Sequence, residues 1–160
     1  ADKEAKLFSK EYMDNFAVGH SWIMLETSAG LNDSYGFWPA NLGNGGGVDT
    51  SKPWKSVAGE VRHPDTAHTP KAKYSIQIDK DQLKKGKKYA ADNASKKYNL
   101  FSYNCTTFAR EFFKQSSGKH APSGGMLIEN PNGLYNNIES RNGFKGLDSM
   151  ENEKPTKKNK

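Results

Sequence analysis

Two hydrophobic spacings alternate along this 160-residue chain. From Phe16 to Glu26 the residues Phe-Ala-Val-Gly-His-Ser-Trp-Ile-Met-Leu-Glu are rich in aromatic and β-branched side chains, which predicts a strand. Ser28-Ala29-Gly30-Leu31-Asn32-Asp33 carries turn chemistry. Tyr35-Gly36-Phe37-Trp38 predicts a second strand stopped by Pro39, and the two make an antiparallel hairpin. Tyr74-Ser75-Ile76-Gln77-Ile78-Asp79 alternates cleanly and predicts another strand. Then the period lengthens. Asp79 or Asp81 caps a helix running to about Asn93 with Leu83, Tyr89 and Ala90 inward. Phe108, Phe112 and Phe113 repeat at helical spacing in a second helix, capped by Ser102 or Asn104 and ended by Gly118. Residues 99–103, just before it, read as extended chain.

The remaining segments are less regular. Residues 1–13 are charged, with Leu7, Phe8 and Tyr12 near helical spacing, and read as a short helix or a loose arm. Residues 39–72 are a long loop-rich stretch with Gly43-Asn44-Gly45-Gly46-Gly47, four prolines' worth of interruption at Pro39, Pro53, Pro64 and Pro70, and one short strand near Gly59 to Arg62. A connection this long inside a compact domain is often a binding loop or lid. Pro122-Ser123-Gly124-Gly125 is loop, and residues 134–138 predict a helical turn. The expected architecture is α+β: one domain over residues 1–146 with a small antiparallel sheet packed on the second helix, and a disordered basic tail over 147–160.

Composition narrows the class. A mean hydropathy of -0.92 describes a polar chain with long loops. No apolar run approaches the ~20 residues of a membrane-spanning helix, and no secretion-signal pattern is visible. The start at Ala1-Asp2-Lys3, without Met, is that of a processed product or an excised domain. One cysteine excludes an internal disulfide. The net charge of +6 is concentrated between Lys80 and Lys97 and in the last ten residues. Such lysine runs form solvated helix faces and favour anionic partners. Specific nucleic-acid binding is disfavoured, because zinc-finger spacing and RNA-motif signatures are absent and arginines are few.

That single cysteine, Cys105, stands at the start of the second predicted helix. There the helix dipole and free N–H groups favour thiolate and lower a thiol from its usual pKa of about 8.5. The same N–H groups can receive an oxyanion. The alternative is a small buried apolar residue. A thiolate nucleophile needs a base, and four histidines are available. His20 sits on the first predicted strand, between Gly19 and Trp22, where a structural role is the competing reading. His63 and His68 lie in the loop-rich stretch. With Asp65 between them they make a poor metal site for want of a third well-spaced ligand. His120 reads as solvent-facing. No metal or cofactor is expected.

Gly19-His20-Ser21-Trp22-Ile23, then Tyr35-Gly36-Phe37-Trp38-Pro39, then Tyr103-Asn104-Cys105-Thr106-Thr107-Phe108-Ala109 resembles the circularly permuted branch of the papain-like NlpC-type hydrolases, which includes lecithin:retinol acyltransferase relatives. There the histidine strand precedes the cysteine helix, and the nucleophile stands in Asn-Cys-x-x-Phe. The likeness covers roughly residues 15–115. It implies a papain-like permuted core, Cys105 as nucleophile and His20 as base. The family's third polar group has no clear match on the second strand. The pair acts as a dyad, or Asn41, Asp49 or His63 orients the base from the loop region. Tyr35 or Tyr103 is the candidate donor to an oxyanion beside the Cys105 amide, with Asn104 in support and Trp22 and Trp38 as cleft wall.

The resemblance further implies a cysteine hydrolase acting on an amide of peptidoglycan stem peptides, used as a secreted or delivered antibacterial effector with a cognate immunity protein. The enzymatic rival is acyl transfer, deamidation or proteolysis on host lipid or protein. The rival of another class is a non-catalytic glycan- or peptide-binding module built on the glycine-rich loop, Trp38 and Trp54, with Cys105 inert.

Overall fold

The computed structural model describes residues 19–26, 32–42, 44–66 and 68–141. It is α+β, with a four-stranded antiparallel sheet in the order β1-β2-β3-β4. Strands β1 (Trp22–Glu26) and β2 (Asn32–Pro39) form the expected hairpin, with Trp22 opposite Gly36 and Ile23 opposite Tyr35. Strand β3 (Val57–Arg62) pairs with the far half of β2, setting Phe37 against Val61 and Pro39 against Gly59. The two-residue β4 (Lys97–Tyr98) lies beside Val57 and Ala58. Among the described residues three helices accompany the sheet: α1 (Lys80–Asp92), α2 (Cys105–Ser117) and α3 (Pro131–Arg141).

The core is aromatic and joins sheet to helix. Phe37, Phe108 and Phe112 are fully buried, with Tyr35, Tyr98 and Tyr103 around them. Phe37 of β2 stacks on Phe108 of α2 at 5.6 Å, and Tyr35 meets Phe112 at 5.3 Å. Offset or edge-on aromatic pairs of this kind contribute about 0.5–1.5 kcal/mol each beyond the area they bury. α1 crosses α2 at Gly86, where a Cβ would stand 2.6 Å from the Phe112 ring. The close crossing therefore requires glycine. Outside it, Lys84, Lys85, Lys87 and Lys88 form the solvated face the charge run predicts.

Several boundaries differ from expectation. The first strand begins at Trp22, so His20 and Ser21 precede it; the rest of the predicted strand, residues 16–18, lies outside the described residues. So do residues 1–13, most of the hairpin turn (27–31) and the 147–160 tail. Residues 74–79 form no strand apart from a single bridge at Ile76. Burial alternates only from Ile76 to Asp79, with Ile76 and Ile78 half-buried and Gln77 and Asp79 exposed, and among the described residues no strand runs alongside to complete a ladder. Residues 99–103 are a tight loop. Asn99 and Tyr103 exchange backbone hydrogen bonds, and Asn99 Oδ1 accepts from the N–H groups of Phe101 and Ser102. An asparagine side chain competing for backbone donors closes a turn where hydrophobicity alone suggests extended chain. The turn expected at 134–138 is the middle of the longer α3, entered through Pro131.

Candidate active site

Cys105 is the first residue of α2, and its neighbour fixes the helix start. Asn104 Oδ1 accepts from the backbone N–H of Thr106 (2.9 Å) and Thr107 (3.2 Å). Its amide donates to the carbonyls of Leu100 (3.0 Å) and Glu129 (2.7 Å). Every polar atom of the Asn104 side chain is thus used, so Asn104 supports the site as a cap and a tie. The sulfur is buried, and the Ser21 backbone N–H and the Thr106 hydroxyl lie near enough to favour its thiolate. Ser21 Oγ and Thr106 Oγ1 are themselves bonded at 2.9 Å. Residues flanking His20 and Cys105 therefore lock the two segments together.

His20, also buried, lies close enough to Cys105 for each to favour the charged form of the other. Its Nε2 meets Asp65 Oδ2 at 2.6 Å, which leaves Nδ1 as the ring nitrogen for the thiol. Trp38 packs on the imidazole at 4.0 Å, and Trp22 stacks parallel to it at 5.8 Å. Both tryptophans thus hold the ring's plane. Asp65 receives two further donors at Oδ1, Trp38 Nε1–H and His68 Nε2, each at 3.1 Å. Its backbone is clamped to β2: Ser34 Oγ donates to the Asp65 carbonyl at 2.9 Å, and the Asp65 N–H points back at Ser34. Gly36 makes this convergence possible. A Cβ at Gly36 would lie 1.7 Å from Asp65 Oδ2 and 2.8 Å from His20 Nε2.

The electrostatics follow from these contacts. Burial disfavours the charged imidazole, but the hydrogen bonds and negative charges of Asp65 and Cys105 outweigh it and lift His20 to about 9. Burial likewise opposes the Cys105 thiolate; the His20 hydrogen bond and charge, the Ser21 N–H and the Thr106 hydroxyl prevail and pull the thiol below its ordinary range. Asp65 is held below the usual carboxylate range, its burial offset by both histidines. The pair thus favours thiolate and imidazolium. The Tyr98 hydroxyl lies beside the Cys105 sulfur and backbone N–H; burial and the sulfur's charge push the phenol well above its ordinary value.

The other candidates lie elsewhere. Asn41, at φ 58, and Asp49, bonded to Ser51, are exposed loop residues. His63 turns to Ser34 O (3.1 Å) and Asp33 (3.0 Å) and stacks on Tyr35 at 4.1 Å. None of the three meets His20; the residue that does is Asp65. Tyr35 is core. Tyr103 shares a 2.6 Å hydroxyl bond with Tyr89. Neither tyrosine takes the place beside the Cys105 amide, which belongs to Tyr98. Trp54 is 62 % exposed, whereas Trp38 is engaged at the imidazole.

Comparison with family models, curated proteins and solved structures finds no match.

Two of the central side chains escaped the sequence reading. Asp65 had a signal in Gly36, since an isolated glycine within a strand marks a close approach. Tyr98 had none beyond its place seven residues before the cysteine.

Proposed function

We propose that the chain is a cysteine hydrolase or acyltransferase of the papain-like, permuted NlpC type. The observation that carries this reading is the buried imidazole bonded to Asp65 through Nε2 and close enough to Cys105 to favour its thiolate. A nucleophile, a base and an orienter in series is the arrangement that activates thiols on unrelated folds. Cys105 Sγ attacks the substrate carbonyl carbon, and the carbonyl π electrons move to oxygen. The donors we assign to that oxyanion are the Tyr98 O–H and the Cys105 N–H, which face each other when no substrate is bound. The tetrahedral intermediate collapses, the C–N bond breaks and His20 hands its proton to the leaving amine. A water then attacks the thioester, His20 takes its proton, and the acid leaves with the thiol restored.

The substrate we propose is an amide of peptidoglycan stem peptides. It is motivated by the motif resemblance and by a net charge of +6 suited to an anionic polymer. In this reading the chain acts outside the producing bacterium, as an effector neutralised by a cognate immunity protein. The experiment is digestion of purified peptidoglycan with chromatography of the muropeptides. New products from wild type, absent with Cys105→Ala, support the reading. No product difference, together with a thiol that iodoacetamide reaches only on unfolding, overturns it in favour of a binding module.

A further inference from the structure

Three metal-ligating side chains converge at this site from different parts of the chain. His20, Asp65 and His68 each offer a ligand atom, and these atoms all lie within 4.8 Å of one another. His20 Nε2 stands 2.6 Å from Asp65 Oδ2, and His68 Nε2 stands 3.1 Å from Asp65 Oδ1. Donors sharing one tetrahedral Zn²⁺ at its usual bond lengths stand about 3.4 Å apart. To admit an ion the His20–Asp65 contact opens and the two histidine ligand atoms, within 4.8 Å of each other, draw in to that spacing. Two imidazoles and a carboxylate suit a borderline divalent ion such as Zn²⁺.

The surroundings suit a built site. Trp38 Nε1–H holds Asp65 Oδ1 from outside, as donors around metal-binding carboxylates do. The rings of Trp22 and Trp38 pack on His68 at 5.2 and 5.6 Å and restrict its orientation. The side chains of His20 and Asp65 are 3 % and 2 % exposed, but that of His68 is 12 % exposed. Entry is thus from the His68 edge, where a water can complete the coordination. The third ligand that the His63 and His68 spacing lacks is supplied by His20, from just before β1, while His63 turns away to Ser34.

We propose that His20, Asp65 and His68 form a regulatory Zn²⁺ site. The ion takes the place of the protons between the two Nε2 atoms and the carboxylate, and those protons leave to solvent. His20 Nδ1 then keeps its N–H, because handing that proton to the leaving amine would leave an imidazolate, so His20 no longer cycles between acid and base. Zn²⁺ thereby silences the base. This consequence rests on the cysteine-hydrolase reading, whereas metal binding itself does not.

Isothermal titration with zinc chloride tests the site. Wild type and Cys105→Ala bind one ion per chain. His68→Ala and His68→Gln, both checked for a cooperative thermal melt, bind at least tenfold more weakly, while His63→Ala and His120→Ala match wild type. No saturable binding by wild type overturns the proposal, as does binding that survives both His68 variants or disappears with Cys105. An unsuccessful titration leaves the thiol chemistry standing, and an inert thiol leaves the titration standing, so the two readings fail separately.

Discussion

His20 and Asp65, 45 residues apart in the chain, share a 2.6 Å hydrogen bond that fixes which ring nitrogen faces Cys105. An imidazole that donates through Nε2 must present Nδ1 to the sulfur. The carboxylate therefore sets orientation and stabilises the imidazolium, and it does so from a side chain 2 % exposed, where charge is weakly screened.

Asp65→Asn preserves the shape and removes the charge. Turnover is expected to fall by up to about 10⁴-fold, in the manner of triads that lose their carboxylate. Iodoacetamide alkylation of Cys105 followed against pH shows the thiol moving back up. Unchanged turnover with an unchanged thiol titration would remove Asp65 from the mechanism.

Gly36→Ala places a methyl group where Asp65 Oδ2 sits. Relieving an overlap of this size shifts the carboxylate or the strand and costs about 1–3 kcal/mol. A lowered melting temperature accompanied by loss of turnover is the expected result. Alanine tolerated at both readouts would mean that the His20–Asp65 contact is dispensable.

Tyr98→Phe removes the hydroxyl between the sulfur and the Cys105 amide. Loss of one oxyanion donor costs about 100-fold in kcat. Alkylation, which develops no oxyanion, changes much less. A parallel fall in both rates would instead assign Tyr98 to thiolate stabilisation.

The pH dependence has a definite sign. His20 is raised, so its contribution to stability is complete below its unfolded value near 6.5 and is lost as pH rises through about 9. Cys105 is lowered, so its contribution is present above its unfolded value and is lost as pH falls through the folded one. The shared ion pair exists between these limits. Turnover is expected to be bell-shaped, with an acid limb below the ordinary thiol range and an alkaline limb near 9. In His20→Ala the Cys105 titration, followed by alkylation, returns upward and turnover is lost across the whole range.

What the chain disclosed in advance was local. Helix α2 was legible because its cap, its aromatic repeat and its C-terminal Gly118 lie within one short stretch, and the same holds for Asp79 and α1. The β1–β2 hairpin followed from two adjacent runs of strand-forming residues. Asp65 was not legible, since its role depends on a loop folding back onto Ser34 and on a missing Cβ at Gly36. Tyr98 depends on a two-residue strand too short to carry a period. Residues 74–79 misled for the converse reason: their periodicity is real, but no described partner strand makes it a ladder.

The clamp between Ser34 and Asp65 bears on how the chain tolerates insertions and deletions. It ties the acid to β2, three residues after β3 ends at Arg62. An added or lost residue between Arg62 and Asp65 would break the register between clamp and sheet and carry the carboxylate away from His20. The clamp acts at Asp65 itself, so a length change beyond His68, on the path to α1, leaves the register between Ser34 and the acid intact. Variation in length is expected to concentrate on that later side of the loop, with the short approach to Asp65 kept constant.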